Sequence, residues 1–365
     1  MAAQAAHGKA GVSGVGKIGQ VAGAANTPRG GYLEQADLIE MTMKHWPDLA
    51  RRAGLSPDRP RVCPILVRQD ESGARIILGV ETSGKNLILK HEWSATGTIN
   101  HHFAQSLAAQ TKARLRLSGN TLGLKVPAVL ASLEAENLVV MERLPGDLAA
   151  HVIEGAKNRR DRRAVLKACG EWLGAFHRST PLPQRPYQPR FVLEHLRRQR
   201  AAITEGRVAV AGRQRFLALS EAVEASALAY VDKPANHAWQ HGDFSFRNVV
   251  LDATGTGVVD FKPEHTAPIG HDIARLLVEY SSLYGEHANI PDGQILQGPD
   301  GAAFFRAYGL DEGDDPSIRF LYGAQGLSDW SRIPADENRR SLLQMLRLEG
   351  LTQTMQRLYP ALRHA

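Results

Sequence analysis

Two patterns of apolar spacing divide this chain. Up to about residue 146 the apolar positions come in short runs punctuated by turn residues, and further on they recur mainly at helical spacing. Runs at 62–67, 75–80 and 86–89 are separated by Asp70 to Gly73 and by Ser83 to Lys85, which predicts an antiparallel three-stranded meander. A helix is expected over 100–117, then two more strands of the same sheet at 126–130 and 138–146. Ahead of the meander, Leu33, Leu38, Ile39, Met41, Met43 and Trp46 are loosely spaced for a packing helix. Later, Leu166, Cys169, Trp172, Leu173 and Phe176 mark one buried face of a helix over 166–177. Residues beyond 270 read mainly as helices around a loop at 292–300.

Pro145 and Gly146 break the pattern where strands give way to helices, so a domain boundary is expected there. A length of 365 residues with 43% hydrophobic content suits two domains, each with its own core. Residues 1–30 are rich in Gly and Ala, carry no acidic residue and show no periodicity, so a disordered tail is expected there. Gly14, Gly16 and Gly19 match a dinucleotide-loop spacing and overlap a near phosphate loop ending at Lys17. Ile18 stands where that loop needs Ser or Thr for the metal, and no strand precedes it, so both matches are accidents of composition.

Composition narrows the setting. Cys63 and Cys169 are too few for a disulfide framework and lack ligand spacing, and no apolar run approaches bilayer length. No secretory signal opens the chain, so a cytoplasmic location is expected. The formal charge of +6 is carried largely by arginine clusters at 159–163 and 197–200, which read as solvated helix faces rather than a nucleic-acid footprint.

Chemistry is densest between His241 and Asp260. Apolar runs at 248–251 and 257–259 flank Asp252 to Thr256 and read as a hairpin that returns Asn248 and Asp260 to one point. A loop aspartate such as Asp243 can orient a hydroxyl and take its proton, while Asn248 and Asp260 supply hard oxygen ligands suited to Mg2+. That combination fits phosphoryl transfer from a magnesium nucleotide. Lys90, expected at the edge of the small sheet, is placed to reach nucleotide phosphates.

His241, Gly242, Asp243 and Asn248, followed by Asp260, Phe261 and the stretch Asp272 to Arg275, resemble the aminoglycoside phosphotransferase and choline kinase-like family. Weaker likeness extends to Lys90, to Met141 through Gly146 and to the helix from Glu171 to His177, so that roughly residues 61–280 are covered. The resemblance implies an α+β, two-lobed protein kinase-like fold. A leading helix at 31–60 would precede a small antiparallel nucleotide lobe at 61–144 and a larger helical catalytic and acceptor lobe at 145–365. It implies Asp243 as base, with Asn248 and Asp260 holding Mg2+ between the phosphates of ATP or GTP. Lys90 would sit on the α- and β-phosphates, backbone groups around Glu142 and Leu144 on the nucleobase, and His241 and Asp272 would support the catalytic loop. The implied reaction is ATP-dependent phosphorylation of a small-molecule hydroxyl. Sugar, amino-alcohol or homoserine kinases of the same fold, or a catalytically weak nucleotide-binding protein, are alternatives.

Two departures from the family pattern stand out. The helix at 100–117 has no glutamate for Lys90, leaving Gln105, Gln110 or the nearby Glu92 as its partner. The first turn holds only Ser72 and Gly73 where a phosphate-covering loop would be glycine-rich. Glu279 with Tyr280 and Asp329 with Trp330 pair an acid with an aromatic where the family builds its acceptor pocket. His101 and His102 lack a third metal ligand and read as helix surface, and Asp311 to Asp315 read as a solvated loop before a helix.

Overall fold

The computed structural model describes residues 33–97, 100–311 and 313–363, so the expectations for residues 1–30, including both glycine-loop matches, lie outside the described residues, as does Glu312. It opens with two helices, α1 (Gln35–Met43) and α2 (Trp46–Arg52), rather than one. Pro47 in the first turn of α2 explains the break, because proline lacks an N–H and starts helices more readily than it continues them.

Three long strands follow, β1 (Arg61–Asp70), β2 (Gly73–Thr82) and β3 (Lys85–Ser94), then α3 (His101–Arg116). After a two-residue strand β4 (Leu124–Lys125) come β5 (Val129–Leu133) and β6 (Leu138–Glu142). The expected strand at 126–130 thus begins at Val129, with Pro127 in the irregular link before it. Strand order in the sheet is β1-β2-β3-β6-β5, antiparallel throughout.

Period-two alternation gives this sheet two different faces. Ile76, Leu78 and Val80 of β2, Leu87 and Leu89 of β3, and Leu138 and Val140 of β6 form one buried cluster with Leu38, Trp46 and Leu49 of the leading helices. The alternate positions Arg75, Ile77, Ile88, Lys90, Glu92 and Met141 line a cavity on the opposite face. Since β3 is central and runs on to Ser94, Lys90 lies mid-strand in the middle of the sheet, not at its edge as expected.

Beyond β7 (Asp147–Leu148) and α4 (Ala149–Glu154), the long helix α5 (Arg159–Arg178) buries Leu166, Cys169, Trp172, Leu173 and Phe176. It packs on α9 (Gly298–Tyr308), and Gly170 and Gly174 sit where a Cβ would overlap the Phe304 and Tyr308 carbonyl oxygens. Between them come a short strand β8 (Arg185–Pro186), α6 (Arg190–Thr204) and α7 (Arg213–Ser226). Further short strands are β9 (Pro234–Ala235) and β10 (His237–Trp239), and the hairpin β11 (Val249–Asp252) and β12 (Gly255–Val258) precedes β13 (Thr266–Pro268) and α8 (Gly270–Leu283). The hairpin joins β4 and β7 in a four-stranded sheet of order β4-β12-β11-β7. α10 (Pro316–Ser331) and α11 (Leu342–Arg363) pack against α8 and complete a core rich in Phe, Tyr and Trp. None of the described helices is long and apolar enough to cross a membrane.

Both arginine clusters lie on largely exposed helix faces, as expected, and several of their side chains pair with acids of the same chain. Arg159 pairs with Glu286 and Arg163 with Asp300 at 2.8 Å, while Arg197 and Arg200 share Glu224 at 2.5 and 2.7 Å. His101 and His102 are exposed at the start of α3, and Asp315 caps α10 through the Ser317 N–H at 2.9 Å.

Candidate active site

A cavity of about 780 Å³ lies between the sheet face carrying Lys90 and the β11–β12 hairpin. Ile77, Ile88, Met141, Leu144, Val250 and Val259 form apolar walls, and Arg75, Lys90, Glu92, Asn248 and Asp260 its polar floor. The hairpin pairs Val249 with Val258 and Asp252 with Gly255, and the Val259 N–H donates to the Asn248 carbonyl at 2.9 Å. Asn248 and Asp260 therefore border one space, as their spacing implied.

Asp260 carries a left-handed backbone, φ 66°. Its Oδ1 accepts from the Lys90 ammonium at 2.8 Å and its Oδ2 from the Arg75 guanidinium at 2.7 Å. Burial pushes this carboxyl up, but Lys90 and Arg75 overcome that and hold it well below the usual carboxylate range. Glu92, two residues along β3 and so on the same face as Lys90, lies 3.1 Å from the ammonium. Asn100, which caps α3, also donates to Glu92 at 2.9 Å. The strand thus supplies the carboxylate that α3 lacks. Gln105 is exposed, and Gln110 donates to the Pro127 carbonyl at 3.0 Å.

The loop after β10 is organised by Asp272 in the first turn of α8. Its Oδ2 accepts the His241 N–H at 2.7 Å and its Oδ1 the Gly242 N–H at 2.9 Å, and His177 lies 3.4 Å away. Gly242 has φ 81° with Lys262 close against it, a place no side chain fits. His241 accepts the Asp243 N–H on Nδ1 at 3.2 Å, and its Nε2 lies 3.0 Å from the Val259 carbonyl. Because Nδ1 accepts an N–H, the ring proton belongs on Nε2 toward the carbonyl, and burial pushes the His241 pKa down in the same sense. Phe261 packs against it with the rings tilted by 52° and their centroids 4.4 Å apart, tying the loop to the segment that carries Asp260.

Asp243 emerges from this scaffold in an ion pair with Arg275 of α8, and Lys262 stands 3.9 Å away. The Asn248 amide nitrogen donates to the Asp243 carbonyl at 2.8 Å, which orients the other end of that amide, an oxygen. Glu279, one turn beyond Arg275, accepts the Phe246 N–H at 3.1 Å, and burial raises its carboxyl pKa.

Not every residue singled out in the sequence borders the cavity. Ser72 donates both its N–H, at 2.8 Å, and its hydroxyl, at 2.5 Å, to Asp70, and Gly73 N–H joins them at 3.2 Å, so these groups close the β1–β2 turn. Glu142 and Leu144 do line the cavity; the Glu142 N–H bonds the Ala128 carbonyl at 2.9 Å and its carboxylate meets Arg114 at 3.1 Å, whereas the Leu144 backbone has no partner among the described residues. Trp330 is a core side chain, 1% exposed, packed on Phe216 with its indole N–H on the Ala211 carbonyl at 2.9 Å. Asp329 is buried against Arg347 at 2.7 Å. Sequence spacing assigns no role to Arg75, read only as the start of a strand, or to Arg275, read only as the end of the family-like stretch from Asp272. Arg75 reaches Asp260 only through strand order, but Arg275 is legible as one helical turn from Asp272.

A model of the phosphotransferase enzyme family matches residues 68–321. The chain belongs to that family. No curated protein sequence matches it. Among solved structures, this family member is similar to a choline/ethanolamine kinase family protein from Mesorhizobium loti, at TM-score 0.52 and 14% identity over 90% of this chain and 100% of that one. Spectinomycin phosphotransferase, solved with ADP and spectinomycin, aligns at TM-score 0.51 and 14% identity over 91% of this chain and 98% of its own. An amicoumacin kinase in complex with AMP-PNP, Ca2+ and Ami aligns at TM-score 0.52 and 14% identity, covering 87% and 95%. With the antiparallel sheet and helical remainder, these likenesses show a kinase-like α+β fold.

Proposed function

We propose that this phosphotransferase family chain transfers the γ-phosphoryl group of ATP to a hydroxyl of a small molecule. The observation that carries the reading is the meeting at 2.8 Å of Lys90, on the central strand β3, and Asp260, just past the end of β12, at a cavity that Asn248 also lines. Nucleotide complexes of the spectinomycin and amicoumacin enzymes support a nucleotide in the corresponding cleft.

The donor set fits a hard divalent ion. Asp260 is held ionised, and Asn248, its amide nitrogen committed to Asp243, has an oxygen to offer. Among the described residues no cluster of three or more His, Cys, Asp or Glu could bind a metal alone, as suits an ion shared with phosphates. Mg2+, when bound, supplies neutralisation of the charge on the phosphate oxygens. Lys90 and Arg75 would hold those oxygens from the sheet side, and Leu144 would offer its backbone to the base between Ile88, Met141 and Val250. Asp243 would orient the acceptor hydroxyl and take its proton as the acceptor oxygen bonds to phosphorus and the bond to the β-phosphate oxygen breaks. Nearly all the catalysis asked of the chain is positioning and charge. A cytoplasmic location, where ATP is abundant and Cys63 and Cys169 stay thiols, accords with this reading.

Asp243→Asn tests it. ADP release with an accepted substrate should fall by about a thousandfold or more while Mg·ATP binding by calorimetry persists, and EDTA should abolish turnover until Mg2+ is restored. Undiminished turnover in Asp243→Asn would remove Asp243 from the role of base.

A further inference from the structure

Around Asp243 and beyond the edge of the cavity lined by Arg247 and Lys262, charged side chains converge from the loop between β10 and β11, the segment after β12, and helices α8, α10 and α11. Asp243 pairs with Arg275 and faces Lys262 at 3.9 Å. Glu279 faces Arg247 at 3.9 Å and feels the fields of Arg247, Arg347 and Arg275, and Asp329 takes Arg347 at 2.7 Å. Each carboxylate is engaged. Asp329 receives Gln325 on Oδ1 at 2.9 Å and Arg347 on Oδ2, and Glu279 receives the Phe246 N–H. A cationic acceptor would have to strip arginines from these acids before finding a counter-charge.

The arginines, though paired through their terminal nitrogens with Asp243 and Asp329, still have a donor unused. Arg275 and Arg347 are 30% and 23% exposed, within reach of a solute, yet the Nε atom of each is shielded from solvent and has no hydrogen-bond acceptor among the described residues. A guanidinium has five donors and no acceptor, and a carboxylate or phosphate meets its fork with two bonds at once. An orphaned buried N–H is costly, so donors left waiting mark where an acceptor group belongs.

We propose that the acceptor is an alcohol bearing an anionic group, a carboxylate or a phosphate, and that Arg275 and Arg347 bind that group. The proposal rests on the phosphotransfer reading above. It also gives Arg275 two alternative partners. While paired with Asp243 it occupies the carboxylate that would orient the hydroxyl. An anion on the substrate draws the guanidinium to itself and leaves Asp243 to accept the hydroxyl hydrogen. A neutral alcohol offers no such exchange, so recognition and readiness to react are joined.

Matched alcohols test this on the full chain with Mg·ATP, following ADP release and product mass. D-Glycerate against glycerol and gluconate against glucose form the carboxylate arm, glycerol 3-phosphate against glycerol the phosphate arm, and choline and kanamycin the cationic arm. The anionic member of at least one arm should exceed its neutral partner in kcat/KM by about tenfold or more, the effect of a charge-assisted hydrogen bond. Arg347→Gln should shrink that ratio mainly through KM, and Arg347→Lys should restore part of it. A wild-type preference for glycerol, glucose, choline or kanamycin overturns the anionic assignment and leaves phosphotransfer standing. No transfer to any of them, together with no Mg·ATP binding, overturns the phosphotransfer reading and this proposal with it.

Discussion

His91 sits on β3 beside Lys90 but faces the other way, into the layer between the sheet and the leading helices. It is 2% exposed, and its Nδ1 lies 2.8 Å from the Thr42 hydroxyl of α1. Burial, with the neighbouring positive charges of His45 and Lys44, pushes its pKa down from 6.5 to about 4. In the unfolded chain the ring takes a proton near pH 6.5, so between the two values the unfolded state binds more protons than the folded one. The contribution is therefore fully present above about pH 7, is lost as pH falls through 6.5 toward 4, and changes no further below that. A difference of about 2.5 units corresponds to about 3.4 kcal/mol in all, of which about 2 kcal/mol is gone by pH 5. Urea unfolding of the wild type and His91→Gln at pH 7.5, 6, 5 and 4.5 isolates this residue, because the other buried histidines titrate alike in both. The glutamine variant should be the less stable at pH 7.5, and the gap should narrow by about 2 kcal/mol by pH 5. A stability gap that stays constant across that range would refute the assignment of His91 as a neutral, acid-sensitive contact.

Two further outcomes follow from the packing. Gly170→Ala would drive a methyl into the Phe304 carbonyl oxygen, so α5 and α9 must separate, and thermal unfolding should show a loss of about 1–3 kcal/mol. Glu264 holds Lys112 and Arg116 of α3, each at 2.5 Å, and the Arg116 guanidinium also lies 4.6 Å over the Trp239 ring. Glu264→Gln should cost up to about 1 kcal/mol at low salt, and the loss should shrink at 1 M NaCl, since Lys112 is more than half exposed.

Local features proved the most legible. The hairpin between Asn248 and Asp260 forms because short apolar runs with a Gly-containing turn leave few alternatives, and that alone brings the two oxygen donors to one cavity. The meander is likewise written in its own turns. What sequence spacing could not show is order across a sheet. Lys90 is central because β6 returns beside β3, a pairing between residues about fifty positions apart, and Arg75 meets Asp260 across 185 positions. Glu92 was accessible through strand alternation. The aromatic neighbour of Asp329 misled, because a tryptophan on a helix has more core to fill than pocket to line, and Trp330 fills it. Ser72 and Gly73 were read by type alone, whereas Asp70 just before them uses their donors to close the turn.

The grip of Lys90 and Arg75 on Asp260 has a consequence for the order of events at the cleft. Both oxygens of that carboxylate are already partnered, so a further cation at Asp260 displaces rather than adds. Whatever loosens Lys90 and Arg75 from Asp260 also turns two cations loose at the spot where phosphate would lie. On the phosphotransfer reading proposed above, loading of a metal at Asp260 and freeing of Lys90 and Arg75 for phosphate would then be one and the same rearrangement, the ion pairs now joining sheet and hairpin segment being the charges it would later use.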